Sequence, residues 1–426
     1  MNYPDSVHFL YALGNEIKTA KFGLERIRTV LEALGNPQDR LRFVHVAGTN
    51  GKGSTCAMIE SGLRAAGVRT GLFTSPHLAE PTERIRIGGA PVSAAEFAEA
   101  FDRVHACVEE LLERGAIDLH TTYFETVTAM ALVILLQERV EQVVLEVGLG
   151  GRLDATNVVH PEICVITPVD FDHEAWLGKG LESIAAEKAG ILKPDVPAVF
   201  ARQRPEAATV LEGRAAELGI QVDRTCEWNV EGLAIDSRGS RFRLVGERTL
   251  DIACPLAGAH QVENAATAAI ALARLGIASP AIEQGIARAR WPGRLEHVSE
   301  NPEIILDGAH NPAGARALAD YIDRFYSHRR VRMIFGTMRD KSVAEISGIL
   351  FPRAAQVIVT APRQARALSP ESIRQVVDHP DLRIAASMEE ALAAVQDAGP
   401  DDVVFVTGSL FLVAEARTLL GAILES

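Results

Sequence analysis

The chain has 426 residues, with 43 Lys+Arg against 56 Asp+Glu and a formal net charge of −13. With 47% hydrophobic and 23% charged residues it can fill real cores, which excludes a disordered or collagen-like chain. At roughly 150 residues per domain the length suits two or three domains, and the acidic balance argues against a general nucleic-acid binder, which needs a basic face.

Taken in chain order, Met1–Leu10 carries Asp5 and has neither a basic region nor a long apolar core, so no signal or transit peptide is expected. Phe43–Ala47 predicts a buried strand, running into a glycine-rich turn and a helix over Thr55–Ala66. A long helix is expected over Phe124–Gln137. The longest apolar run, Val127–Leu136, is far short of the ~20 residues that cross a bilayer. Strands are predicted at Val143–Val147, Ile163–Thr167 and Val196–Phe200. Continuous apolar strands separated by helices imply a parallel sheet covered on both faces. The pattern changes over Trp228–Cys254, which reads as a small antiparallel excursion, followed by an alanine-rich helix over Gln261–Leu275. Trp291-Pro292-Gly293-Arg294 is the linker candidate. Beyond it, strands return at Ile304–Leu306, Val331–Phe335, Val357–Thr360 and Val403–Val406, with helices such as Pro312–Phe325 and Leu410–Leu420 between or after them. The fold class is therefore α/β. An N-terminal P-loop-type parallel-sheet domain is expected over residues 1–291, and a smaller C-terminal Rossmann-like α/β domain over residues 292–426. A ligand cleft is expected between them. Five widely spaced cysteines without a CxxC pair give no disulfide framework and no zinc site, and suit a soluble cytoplasmic protein with reduced thiols.

The strongest chemical signal is Val46-Ala47-Gly48-Thr49-Asn50-Gly51-Lys52-Gly53-Ser54. Glycines let backbone N–H groups wrap an oxyanion, the helix start adds partial positive charge, Lys52 adds a full one, and a hydroxyl can reach Mg²⁺. The spacing departs from the common phosphate-loop pattern, because Gly53 separates Lys52 from Ser54. Glu146 ends an apolar strand, where a carboxylate is costly unless it meets a cation. It reads either as a Mg²⁺ ligand or as a partner of Arg or Lys. His173, in Asp170-Phe171-Asp172-His173, reads as a hydrogen-bonded histidine or, in register with Glu146, as a ligand for a second Mg²⁺. Glu187-Lys188-Ala189-Gly190 reads only as a helix end capped by Gly190. Asp307 and His310, in Asp307-Gly308-Ala309-His310-Asn311-Pro312, sit at a strand's carboxyl end, with Pro312 opening a helix. Arg294, Asn264 and His77 have structural readings open to them.

These segments together resemble the folylpolyglutamate synthase/dihydrofolate synthase family, a branch of the Mur ligases, which form amides at the expense of ATP. The resemblance runs from Gly23-Leu24-Glu25-Arg26-Ile27 through the phosphate loop, Thr74-Ser75-Pro76-His77-Leu78, the Leu145–Asn157 segment and the Glu187–Gly190 motif. It continues through His260–Ala265, Pro292–Glu296, Asp307–Pro312 and Thr407-Gly408-Ser409-Leu410. It implies that Thr49, Asn50, Gly51, Lys52, Gly53 and Ser54 hold the ATP phosphates, and that Ser75, Glu146 and His173 coordinate Mg²⁺. It further implies that Lys188 is carbamylated, that Asn264, Arg294 and Asp307 contact ATP, and that His310 and Ser409 lie near the incoming glutamate. The pterin would lie against Lys21, Phe22, Gly23, Leu24, Thr122, Tyr123, Phe124, Glu125, Leu153, Asp154 and Ala155. A departure stands at Arg339-Asp340-Lys341-Ser342, where relatives often carry Asp-Lys-Asp.

The implied reaction adds L-glutamate to dihydropteroate and to reduced folates through an acyl phosphate, with domain closure keeping water out. ATP and Mg²⁺ are the expected cofactors, with a monovalent cation beside them. A monomer with small-molecule partners is expected, without nucleic acid or membrane. The few dozen residues before Gly48 are too few for the uridine-nucleotide domain of cell-wall Mur ligases, which favours a folate substrate. The alternatives are a folylpolyglutamate synthase lacking the first activity, a P-loop NTPase switch, and a nucleotide-binding subunit without catalysis.

Overall fold

The computed structural model describes residues 1–13 and 23–424. Its first sheet has eight strands: β1 (Phe43–Ala47), β2 (Thr70–Phe73), β3 (Ile85–Ile87), β4 (Ala90–Pro91), β5 (Gln142–Glu146), β6 (Ile163–Ile166), β7 (Ala198–Phe200) and β8 (Val222–Arg224). Their spatial order is β4-β3-β2-β5-β1-β6-β7-β8. Strands β2, β5, β1, β6, β7 and β8 pair in parallel. Strands β3 and β4 extend the edge antiparallel, an addition to the all-parallel sheet expected from the sequence. The central strands are buried along their whole length, which is why they read as unbroken apolar runs.

Two apolar clusters account for that burial. One joins Phe43, Phe73, Val143 and Leu145 to the helices Ala94–Glu113 and Tyr123–Gln137. The other joins Ala47, Ile166, Ala198 and Phe200 to the helices Leu181–Ala189 and Pro205–Leu218. Each fully buried Phe, Leu or Ile side chain stabilises by about 1.5–3 kcal/mol.

The predicted excursion is a three-stranded sheet of β9 (Asn229–Asp236), β10 (Gly239–Val245) and β11 (Thr249–Cys254), ordered β11-β10-β9. Its connections of two and three residues are too short for a parallel crossover, so it is an antiparallel meander.

The last sheet contains β12 (Glu296–Glu300), β13 (Glu303–Leu306), β14 (Arg330–Phe335), β15 (Gln356–Val359), β16 (Leu382–Ile384) and β17 (Asp402–Thr407). Their order is β12-β13-β17-β14-β15-β16. All pair in parallel except β12, which is antiparallel on β13. This is the second α/β sheet that the strand spacing predicted. The chain forms two compact units, Met1–Glu231, Arg243–Ile252 and Glu263–Ala289 in the first, Gly232–Phe242, Ala253–Val262 and Arg290–Ser426 in the second. Among the described residues, no helix is long and apolar enough to cross a membrane.

Candidate active site

In the first unit, four neighbouring strands, β2, β5, β1 and β6, deliver candidate residues at their carboxyl ends. Ser75 follows β2, Glu146 ends β5, Gly48–Ser54 follows β1, and Asp170–His173 follows β6. The chain leaves β1 toward β2 on one side and later returns to β6 on the other. The phosphate-loop candidate thus sits where strand order reverses, the place where open α/β sheets bind ligands.

The loop geometry depends on two glycines. Gly51 has φ +84° and precedes the helix Lys52–Ala65; a Cβ there would lie 2.2 Å from Asn264 Oδ1. Asn264 is thereby placed against the loop, far from it in sequence. A Cβ on Gly48 would lie 1.8 Å from Thr167 Oγ1. The Thr49 and Asn50 amides donate to the Pro168 carbonyl at 3.0 and 3.2 Å, and Thr49 Oγ1 donates to the Asp170 carbonyl at 3.0 Å. These bonds fasten the loop to the segment after β6. The amides at Lys52, Gly53 and Ser54 open the helix, where no carbonyl one turn back exists within the helix and the dipole favours an anion.

Two lysines converge behind that loop. Lys52 Nζ donates to the carbonyls of Gly48 and Thr49 at 3.1 and 3.2 Å, and Lys188 Nζ donates to the same Gly48 carbonyl at 2.8 Å. Lys188 is buried, and burial, followed by the nearby Lys52 charge, pulls its pKa down to about 7. A large part of it is therefore a neutral amine near neutral pH. Nothing in the local sequence distinguishes Lys188; its contact with a residue 140 positions away does. The helix Leu181–Ala189 does end at Gly190, but with φ −63°, which any residue adopts. Gly190 is small for another reason: a Cβ would lie 2.5 Å from Arg152 Cα.

Among the metal-ligand candidates, the Ser75 amide donates to Glu146 Oε2 at 3.0 Å, so these two residues meet. A buried carboxylate beside a hydroxyl side chain fits a hard cation such as Mg²⁺. His173 has φ +53° and opens the short helix Glu174–Leu177; its Nε2 lies 3.8 Å from Asp172 Oδ1. An imidazole is the less usual Mg²⁺ partner of the set.

The segment after β5 is fixed from within. Asp154 Oδ2 accepts from the Leu149 amide at 2.8 Å and Oδ1 from the Thr156 amide at 3.0 Å, while burial raises its pKa. Thr156 Oγ1 lies 2.9 Å from His45 Nε2 on β1. Burial, with Lys193 adding to it, holds His45 at about 3 and hence neutral. Ala155 is buried and Leu153 half-buried. The His45–Thr156–Asp154 chain was not anticipated, because a lone strand histidine carries no local signal.

The other pterin-side candidates cluster at one helix start. Thr122 and Glu125 form a reciprocal capping box on the helix Tyr123–Gln137. Glu125 Oε2 also accepts from Arg26 Nε and Nη2 at 2.9 and 2.6 Å. Tyr123 stacks on Tyr11, and the Arg84 guanidinium lies 5.0 Å from the Tyr123 ring centre. His77 accepts from Arg84 Nε at 2.9 Å and lies 3.2 Å from Tyr11 Oη; burial, then Arg84, holds its pKa at about 3. The Phe124 ring occupies the space a Cβ on Gly148 would need. Leu24 packs in the apolar core, and Gly23 lies against the Glu25 carboxylate. Lys21 and Phe22 lie outside the described residues.

In the second unit, Asp307 follows β13 and Ser409 follows β17, its parallel neighbour. Asp307 accepts from the amides of Leu295 and Ala309 at 3.0 Å each; burial raises its pKa and Arg294 opposes that. His310 Nδ1 lies 2.8 Å from the Gly308 carbonyl oxygen. The Gly408 amide donates to the Ala309 carbonyl at 3.1 Å, joining the two loops. Ser409 is buried, and its Oγ accepts from the Phe411 amide at 3.2 Å. Asn311 caps the helix Pro312–Phe325.

Comparison with known proteins matches this architecture. Residues 46–273 fit the Mur ligase middle domain and residues 293–410 the Mur ligase glutamate ligase domain. The folylpolyglutamate synthase of Lacticaseibacillus casei is 37% identical over 435 residues, covering 99% of each chain. The dihydrofolate synthase/folylpolyglutamate synthase of Escherichia coli is 35% identical over 421 residues, covering 95% of this chain and 93% of that one. Two haloarchaeal relatives, at 36% and 37% identity, are about twice as long, so the chain spans about half of each. The crystal structure of Mycobacterium tuberculosis folylpolyglutamate synthase complexed with ADP and AMPPCP superposes with a TM-score of 0.91, at 34% identity and 99% coverage of both chains. With both domain models matched in order and identity above one third along the whole length, this chain belongs to the Mur ligase family, in its folylpolyglutamate synthase/dihydrofolate synthase branch.

Proposed function

We propose that the chain is an ATP-dependent ligase that joins L-glutamate to dihydropteroate and to reduced folates. The observation that carries this reading is the convergence at one sheet end of a glycine-rich helix start, two lysines on the Gly48 carbonyl, and the Ser75–Glu146 pair. A free carboxylate is a poor acyl donor because oxide is a poor leaving group. In the proposed reaction the substrate carboxylate attacks the terminal phosphorus of ATP, ADP departs, and an acyl phosphate forms. The glutamate α-amine then attacks the acyl carbon and loses a proton, and phosphate leaves.

The residues divide that work. The amides of Lys52, Gly53 and Ser54, with the Lys52 ammonium, hold and partly neutralise the phosphates by position and charge. Thr49, Asn50 and Gly51 shape the loop. Asn264, Arg294 and Asp307 are assigned to ATP, and His310 and Ser409 to glutamate. The Thr122–Glu125 and Leu153–Ala155 segments are assigned to the pterin. Ser75, Glu146 and His173 would hold Mg²⁺, which would supply further charge neutralisation there. Lys188, a neutral amine in part, can take up CO₂ with loss of a proton to give a carbamate, an anion that the adjacent Lys52 favours where a second cation is opposed. No ligands are assigned to the expected monovalent cation. Residues 1–291 are proposed as the ATP-binding part and residues 292–426 as the glutamate-ligase part, acting as a cytoplasmic monomer. The net charge of −13 disfavours a nucleic-acid partner.

Phosphate release with Mg²⁺-ATP and L-glutamate tests the reading, run with dihydropteroate, with tetrahydrofolate and with neither, and with products identified by mass. Stimulation by both, each gaining one glutamate, is expected. Stimulation by tetrahydrofolate alone leaves a folylpolyglutamate synthase, and hydrolysis indifferent to both leaves a P-loop NTPase.

A further inference from the structure

Outside the elements that carry the phosphate loop, three side chains converge on one point. His105 and Glu109 lie one turn apart on the helix Ala94–Glu113, and His120 lies in the connection to the helix Tyr123–Gln137. Glu109 Oε1 is 3.8 Å from His105 Nδ1 and 3.7 Å from His120 Nε2, and the three atoms all lie within 4.8 Å of one another. Both nitrogens are buried and have no hydrogen-bond partner among the described residues. The second nitrogen of His120, Nδ1, is 2.9 Å from the Thr121 carbonyl oxygen, a contact that requires a proton on Nδ1. In the neutral ring the Nε2 lone pair therefore faces Glu109. Phe9 packs on both imidazoles, with ring centres 4.6 and 5.7 Å away, and Phe101 stacks on His105. Two imidazole nitrogens and a carboxylate are thus held face to face, neither nitrogen hydrogen-bonded among the described residues, an arrangement that a shared cation relieves.

We propose that His105, Glu109 and His120 bind one divalent ion of the zinc class, with water completing its coordination on the half-exposed Glu109 side. Two imidazoles and a carboxylate form a donor set that zinc prefers and Mg²⁺ does not. The His120 Nδ1–H bond to a backbone carbonyl is the outer contact that metal-binding histidines usually make. Donors about 2.0–2.1 Å from a tetrahedral ion stand about 3.4 Å apart, so the Glu109 contacts need to close by only about half an ångström. Cysteine spacing carries no sign of this site, because its three residues are two histidines and a glutamate, two of them on one helix and the third in the connection after it. The ion would fasten the helix Ala94–Glu113 to the connection two residues before the Thr122 cap.

The test is a titration of the full-length, chelator-stripped protein with Zn²⁺ alone, by calorimetry and by thermal melts without nucleotide. One equivalent of zinc and a Tm that rises with zinc are expected. His120→Ala should weaken binding more than about 100-fold, since an outer contact alone is worth about 10–100-fold. Glu109→Gln, at a half-exposed position where folding is not at stake, should remove the Tm rise. Cys226→Ser, at an exposed thiol that could scavenge zinc, should leave binding unchanged. Zinc binding equal in the parent, His120→Ala and Glu109→Gln chains, or no binding by the parent, overturns the proposal.

Discussion

Glu146 is a buried carboxylate at a strand end, and its Oε2 accepts from the Ser75 amide. Glu146→Gln keeps an oxygen for that amide and removes the charge. Amide formation is expected to fall by at least ~100-fold, the scale of losing one group that stabilises developing charge, with Tm near the parent value. Glutamate incorporation followed by mass, with circular-dichroism melts beside it, checks this; parent-level activity in a folded variant removes Glu146 from the metal assignment. Gly51→Ala meets both a positive φ and the Asn264 amide group. Left-handed strain of about 1–2 kcal/mol is expected to distort the loop and raise KM for ATP roughly tenfold, read by steady-state kinetics. Glycines and a lysine between a strand and a helix were readable from the sequence as a phosphate cradle. That Asn264 lies against the loop was not legible in its own helix, because a helix residue announces no long-range partner; only the family resemblance set it beside ATP.

Elements were legible where their pattern is local. The strand Phe43–Ala47 and the helix Pro312–Phe325 have the predicted bounds, since a buried run and an Asn-Pro start are both local signals. Strands β2, β3, β4, β8, β12 and β16 were not anticipated; all but β2 lie at or next to sheet edges, where no continuous apolar run forms, and β2 is only four residues long. Contacts between elements were also hidden. Gly190 is required by the approach of Arg152, so Gly190→Ala is expected to destabilise by about 1–3 kcal/mol as overpacking, seen as a lower urea midpoint. Thr122→Ala removes the capping oxygen that accepts from the Glu125 amide. A loss of about 0.5–2 kcal/mol is expected by the same measurement.

For the whole chain, the buried basic groups set the pH dependence of stability. His45 and His77 titrate at about 3 when folded, against 6.5 unfolded. Between those values the unfolded chain binds the extra protons, so stability is lost as pH falls from about 6.5 toward 3. Lys188, at about 7 folded against 10.5 unfolded, acts with the same sign, and stability rises through that window. Asp154, raised by burial, opposes this above its unfolded value of 3.8. Urea midpoints from about pH 4 to 9 are expected to climb, most steeply below about 6.5; a flat profile there removes the buried neutral histidines from the account. By itself the sequence determined the alternation of strands and helices, the two α/β sheets, the glycine-rich turn between a strand and a helix, and the family resemblance, because apolar periodicity and turn chemistry are written in adjacent residues. Only the tertiary structure decided that β2 lies beside β5 so that Ser75 meets Glu146, that Lys188 reaches Gly48, and that two histidines and a glutamate converge on one point. Strand order and buried polar pairing depend on which surfaces meet in space, and residues far apart in the chain carry no local record of that meeting.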